Sequence, residues 1–263
     1  MTPSRSAHPV RPLWSSLRWL LSVVGLALSV LAGPASAQFD KPFEAGESAE
    51  MKQKRDAMAD WLKKNVKGIS DRTVKAFADV PRHKYMKAAD QKIAYDNKWS
   101  GIGWGQTITN PWMVAYMTHL LEVKETDKVL EIGSGSGYQS SILGRLSNHV
   151  FSIEVIRPLS ERSQKLVKNI GYDKITYRIA DGYFGWPEQA PFDKIMVTCA
   201  ADHIPIPLIQ QLKPGGLMLV PVGPTFQRGN IYLVKKEADG TIKRSVVATG
   251  TFVPMRRTDR SEE

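Results

Sequence analysis

The spacing of apolar residues along this chain changes period several times, and each change marks an element. Between residues 51 and 66, Met58, Trp61, Leu62 and Val66 recur at helical spacing beneath a lysine-rich face, which predicts a first helix. Ser70 follows as an N-cap, with Ile69 and Val74 placed as a hydrophobic staple, and the short helix it opens stops at Pro81. Pro111 suits the first turn of a third helix, whose buried stripe is Met113, Val114, Met117, Leu120 and Leu121. Past residue 128 the pattern shortens. Val129, Leu130 and Ile132 are apolar without strict alternation, as in a strand covered on both faces of a parallel sheet. Glycines at 133, 135 and 137 break that strand, and Ile142, Leu143 and Leu146 resume helical spacing. Further strands are predicted over residues 151–155, 175–179, 193–198 and 216–222, with a short helix over 204–212. Residues 231–235 and 245–253 flank Asp239-Gly240 and read as a hairpin. Strands alternating with helices predict an α/β fold: a doubly wound, mostly parallel sheet closed by an antiparallel pair, with an N-terminal helical layer.

The front of the chain follows another logic. Arg5, Arg11 and Arg18 precede an apolar run over residues 19–31, and Pro34-Ala35-Ser36-Ala37 is a small-residue cleavage signature. Residues 1–37 therefore read as a secretory signal peptide, 38–50 as a flexible spacer and 51–263 as one domain, exported to the periplasm. The apolar run is short for a transmembrane helix, so no stable membrane association is expected after cleavage. Removing the leader deletes three arginines and no acid, leaving a net charge of +7 in place of +10. The lysines are spread rather than gathered among aromatics, which argues against nucleic-acid binding and for a surface that tolerates acidic substrates. Cys199 is the single cysteine, which excludes an internal disulfide and any cysteine-based metal site.

Candidate chemistry gathers at the glycine loop. Gly133, Gly135 and Gly137 let the backbone approach a ligand closely, and Glu131 is read as a carboxylate at the loop's mouth. There it would repel a pyrophosphate and suit a cationic ligand, which favours S-adenosylmethionine over a nicotinamide dinucleotide. Glu154 ends the second strand about 20 residues after the loop, where an acid can take both ribose hydroxyls. Asp181-Gly182 ends the third. Gln106, Thr107, Ile108 and Thr109 fall in a loop before the helix at Pro111, a place where donors point outward and a carboxylate is stabilised. Thr109 or Asn110 could equally be a simple helix cap. His83 and Cys199 read as structural residues, and His119 as packing or surface.

With these blocks in view, the chain resembles the protein-L-isoaspartate O-methyltransferases. Val80-Pro81-Arg82-His83, Gly105-Gln106-Thr107-Ile108, residues 129–138, Ala190-Pro191-Phe192-Asp193, residues 212–223 and Phe252-Val253-Pro254 follow that family's order and spacing. The resemblance implies a Rossmann-like class I methyltransferase that moves a methyl group from S-adenosylmethionine to the free carboxylate of isoaspartyl residues in damaged proteins. It implies cofactor contacts at Gln106, Thr107, Glu131, Gly133, Ser134, Gly135, Gly137, Glu154, Asp181 and Gly182. It also implies acceptor contacts at Val253, Pro254 and Thr109, the last replacing the family's usual active-site serine, and no metal. A monomer is expected. Family members are typically cytoplasmic, which sets the leader apart. The alternatives are a methyltransferase for another carboxylate and an exported noncatalytic binder of carboxylate-bearing peptides.

Overall fold

The computed structural model describes residues 47–171 and 174–258. The expected leader, and the spacer up to residue 46, lie outside the described residues.

The N-terminal layer holds α1 (Ala49–Asn65) and α2 (Asp71–Asp79). Helix α1 starts inside the stretch read as spacer, because Ser48 accepts from the Met51 N–H at 3.2 Å and so caps it. Glu47 adds a second anchor through Arg55 at 2.5 Å. Ser70 caps α2 as expected, accepting from the Thr73 N–H at 3.1 Å.

Two short turns of 3₁₀ helix then lead to a hairpin that the apolar pattern does not reveal, β1 (Ser100–Gly103) and β2 (Gln106–Ile108). Gly103, Trp104 and Gly105 all have positive φ, a run that reverses the chain tightly. Most of the segment expected to be a loop before the third helix is therefore a strand. Helix α3 (Pro111–Leu121) has Pro111 in its first turn, as predicted.

The central unit follows in strand and helix alternation: β3 (Lys128–Ile132), α4 (Tyr138–Leu146), β4 (His149–Glu154), α5 (Arg157–Asn169), β5 (Ile175–Ile179), β6 (Phe192–Val197), α6 (Ile206–Gln211) and β7 (Leu212–Val222). Then come β8 (Arg228–Lys236) and β9 (Ile242–Thr251). The sheet runs β5-β4-β3-β6-β7-β8-β9, parallel through β7, with β8 and β9 added antiparallel in turn. Strand parity divides its core. Val129, Val150, Met196 and Leu219 face α1 to α5, whereas Leu130, Ile153, Ile195 and Met218 face α6.

The same parity corrects the reading of Glu131. Its side chain shares the face of Val129, is fully buried and accepts from the hydroxyls of Ser140 on α4 and Ser152 on β4. It is level with Ser152 and, one strand further, Tyr177. The carboxylate is therefore beneath α4, not at the mouth of the glycine loop, and it cannot select a cofactor by charge. Burial pushes its pKa up from 4.5 to about 7, against the lowering effect of the two serine hydroxyls.

A carboxyl that holds its proton more tightly when folded stabilises the protein fully below its unfolded pKa and loses that contribution as pH climbs through the folded value. Wild type should therefore lose stability to this group between about pH 4.5 and 7, by up to about 3 kcal/mol. Glu131→Gln removes the titration at nearly constant shape. Urea unfolding at pH 5 and pH 8 should show the variant gaining on wild type at the higher pH. An equal difference at both would refute the buried titration.

Candidate active site

The strand order reverses at β3, whose neighbours β4 and β6 lead to helices on opposite faces of the sheet. An open cleft lies outside the carboxyl ends of these strands, where α/β sheets bind ligands. Thr198, just past β6, fastens the end of β3 by donating to the carbonyls of Ile132 at 2.8 Å and Gly133 at 2.7 Å.

The glycine loop forms the floor. Gly133 N–H donates to the Ile153 carbonyl at 2.8 Å, and Gly137 N–H to that of Ser134 at 2.8 Å. Gly135 has φ +52°, and a side chain started there would point 3.6 Å from Ile102 at the hairpin's inner surface. Glu154 shapes the loop from the next strand: Oε2 accepts from Gly135 N–H at 2.9 Å and Oε1 from Ile156 N–H at 3.0 Å. It is 6% exposed, and burial raises its pKa against the lowering effect of those amides and of Arg256. Glu154 lines the cleft, and each of its oxygens can accept a further hydrogen bond, as diol recognition requires.

Over this floor lies the β1–β2 hairpin. Arg162 of α5 holds it by donating to the Ile102 carbonyl at 2.9 Å, with its guanidinium 5.2 Å from the centre of the Trp104 ring. The opposite wall is the segment after β9. Ala200 N–H donates to the Val253 carbonyl at 2.8 Å and Met255 N–H to that of Ala200 at 2.7 Å, fixing Val253 and Pro254 across the end of β6.

Gln106, Thr107, Thr109, Gly133, Ser134, Gly135, Glu154, Gly182, Val253 and Pro254 all line the cleft. Glu131, Gly137 and Asp181 do not. Gly137 instead caps α4 and packs against Ser163 and Val167. Asp181 reaches the sheet edge, but Oδ1 accepts from Tyr183 N–H at 2.9 Å and Oδ2 pairs with Arg257 at 2.6 Å. Gly182 does line the cleft, and a side chain there would strike Ile132 at 2.4 Å.

Of the two candidate caps for α3, Asn110 does the work, accepting from Met113 N–H at 2.9 Å. Thr109 is half-buried at the cleft with its hydroxyl outside that cap. His83 and Tyr95 meet at 2.7 Å away from the cleft, and burial lowers the His83 pKa to about 4, so it stays neutral. Cys199 lines the cleft as a thiol whose pKa burial raises. Arg82, fully buried, sits 4.9 Å from the centre of the Tyr138 ring and thereby backs a cleft residue. Burial lowers its pKa to about 10, leaving it charged at neutral pH.

Sequence reasoning missed Tyr138, Gln139, Thr198 and Arg256 as lining residues. Arg256 follows the Phe252-Val253-Pro254 block by two positions, the one signal that could have drawn attention to it.

The residues fit S-adenosylmethionine: a buried carboxylate at the end of β4, a close-approach glycine loop, and a cleft with apolar walls from Val114, Met117, Ile132 and Phe252. Fold and site together define a Rossmann-like, S-adenosylmethionine-dependent methyltransferase of class I. Residues 53–260 match the family Protein-L-isoaspartate(D-aspartate) O-methyltransferase. The chain is 42% identical over 234 residues to Protein-L-isoaspartate O-methyltransferase 2 of Syntrophobacter fumaroxidans, covering 89% of this chain and 95% of that protein. It is 48% identical over 183 residues to Protein-L-isoaspartate O-methyltransferase 1 of Nitrosospira multiformis, covering 70% and 78%. A solved protein-L-isoaspartate O-methyltransferase superposes with a TM-score of 0.69 at 28% identity, over 76% of this chain and 65% of the solved one. A Plasmodium falciparum structure of that name, in complex with S-adenosyl-L-homocysteine, gives 0.68 at 22% identity, over 78% and 99%. The chain belongs to the protein-L-isoaspartate O-methyltransferase family.

With the cap assigned to Asn110, Thr109 can be tested cleanly. Thr109→Val should lower turnover roughly tenfold to a hundredfold, the loss of one hydrogen bond to a charged group, with the thermal midpoint unchanged. Thr109→Ser should keep or raise turnover, since it retains the donor and frees the rotamer. Full turnover by the valine variant would remove Thr109 from the chemistry.

Proposed function

We propose that this chain methylates the free carboxylate of isoaspartyl residues in damaged proteins and peptides, starting their repair, with the cleft at the end of β3 as its active site. The observation that carries this reading is a single cleft lined by Gly135 and Glu154 and also by Thr109, Val253 and Pro254. S-adenosylmethionine, when bound, supplies an electrophilic methyl group that a carboxylate oxygen takes up, giving a methyl ester and S-adenosylhomocysteine.

Each residue has a stated task. Glu154 accepts from the ribose hydroxyls while its amide contacts keep the glycine loop in shape. Gly135 lets the backbone approach the cofactor without a side chain between. The Thr109 hydroxyl donates to the acceptor carboxylate and sets its angle, and Val253 and Pro254 support the peptide on either side. Phe252 and Met117 make the walls apolar and exclude competing water. No strong general base is needed, because a carboxylate is already ionised at neutral pH. Catalysis here is positioning.

Transfer of a labelled methyl group to an isoaspartyl peptide, set against its aspartyl counterpart, tests the assignment. Wild type should label the first in preference, with the label lost as methanol at alkaline pH, and Gly135→Val should abolish labelling by filling the loop. A noncatalytic peptide binder would instead bind the peptide without labelling it, and would keep its affinity in that variant.

The leader adds an address. Residues 1–37 direct the chain to the periplasm and are removed after Ala37, on the strength of their arginine, apolar and small-residue order. Among the described residues, no helix is long and apolar enough to cross a membrane. N-terminal sequencing of protein from a periplasmic extract should begin at Gln38. Recovery only from the cytoplasm, with Met1 or Thr2 at its start, would contradict export.

A further inference from the structure

Glu154 and Arg256 are the two ionic side chains that line the cleft. Glu154 belongs to the floor and Arg256 to the segment after β9. Arg256 is half-buried, two residues beyond Pro254, and its Nη2 lies 3.2 Å from where a side chain on Gly105 would begin. The guanidinium is thus lodged against the tip of the β1–β2 hairpin, at the rim rather than the floor. Its backbone is held in place by the two hydrogen bonds between Ala200 and residues 253 and 255.

Its neighbour has another fate. Arg257 is paired with Asp181 at 2.6 Å and stacks over Tyr183 at 4.0 Å, so its charge is already answered. For Arg256, no hydrogen bond or ion pair is found among the described residues, although its charge is near enough to lower the pKa of Glu154. A half-buried guanidinium facing a cleft without a direct partner calls for an anion.

Resting on the reading of the cleft as an isoaspartyl methyltransferase site, we propose that Arg256 binds the reacting carboxylate of the acceptor from the rim, together with Thr109. The charges agree. S-adenosylmethionine carries a sulfonium, an ammonium and a carboxylate, and the charges of Glu154 and Arg256 cancel, so cleft plus cofactor holds one net positive charge. A single carboxylate neutralises it. The cofactor's own carboxylate is a poorer partner, because the cofactor is bound by the strand ends of the floor, whereas an acceptor arriving from solvent meets the rim first. Transfer then turns the carboxylate into a neutral ester, Arg256 loses its partner, and the product is held less tightly than the substrate.

The test is calorimetric titration of peptide into enzyme saturated with S-adenosylhomocysteine. An isoaspartyl peptide with neutral flanking residues is compared with the same peptide carrying a primary amide in place of the free carboxylate. Wild type should favour the acid by about tenfold to a hundredfold, the range of one charged hydrogen bond. Arg256→Gln should shrink that preference to a fewfold, and Arg256→Lys should restore part of it, with affinity for S-adenosylhomocysteine unchanged. In turnover, Arg256→Gln should raise the peptide KM more than it lowers kcat. An undiminished preference in Arg256→Gln would overturn the proposal. So would an equal loss of S-adenosylhomocysteine affinity, which would give Arg256 to the cofactor, or an effect confined to peptides with acidic flanks. A wild type that labels no isoaspartyl peptide would instead count against the functional reading itself.

Discussion

The structure depends on the reversal of strand order at β3. Consecutive strands leave β3 toward β4 and β5, and the chain then returns to place β6 on its other side. The connecting helices consequently cover opposite faces, and nothing in the sheet fills the space beyond the carboxyl ends of β3 and β6. Thr198 keeps those two ends together from one side, and Glu154 shapes the glycine loop from the other. The cleft is a consequence of topology, made specific by these side-chain bonds to the backbone.

Two glutamates on adjacent strands illustrate how position decides chemistry. Glu131 lies within β3, so alternation turns it into the face covered by α4, where two serine hydroxyls donate to it and burial raises its pKa. Glu154 is the last residue of β4, beyond the cover of the helices, and its oxygens meet the loop amides and the cleft. One acid is part of the core and the other of the site. Sequence spacing located both; they share one face of the sheet, and only position along the strand, mid-strand against strand end, separates them.

The sheet, its glycine loop and the closing antiparallel strands were legible because long apolar runs, glycine breaks and the Asp239-Gly240 turn carry local signals. Of the candidate residues that line the cleft, Gly133, Ser134, Gly135, Glu154 and Gly182 sit at those strand ends, whereas Gln106, Thr107, Val253 and Pro254 came from the family's motif blocks. The rest depends on contacts between distant segments. The β1–β2 hairpin has strands too short for a periodic pattern and is held by Arg162 on α5. Asp181 is engaged by Arg257, 76 residues away. Arg256 owes its place to the pairing of Ala200 with Val253 and Met255, which no local pattern announces.

The central claim is that one cleft holds the cofactor on the β3 and β4 strand ends and receives the acceptor from the Thr109 and Arg256 side. A crystal structure of the protein with S-adenosylhomocysteine and an isoaspartyl peptide tests it most directly. The account predicts ribose hydroxyls on Glu154 and the peptide's free carboxylate within hydrogen-bond reach of Thr109 and Arg256. A cofactor bound elsewhere, or a peptide carboxylate turned away from both residues, would contradict it.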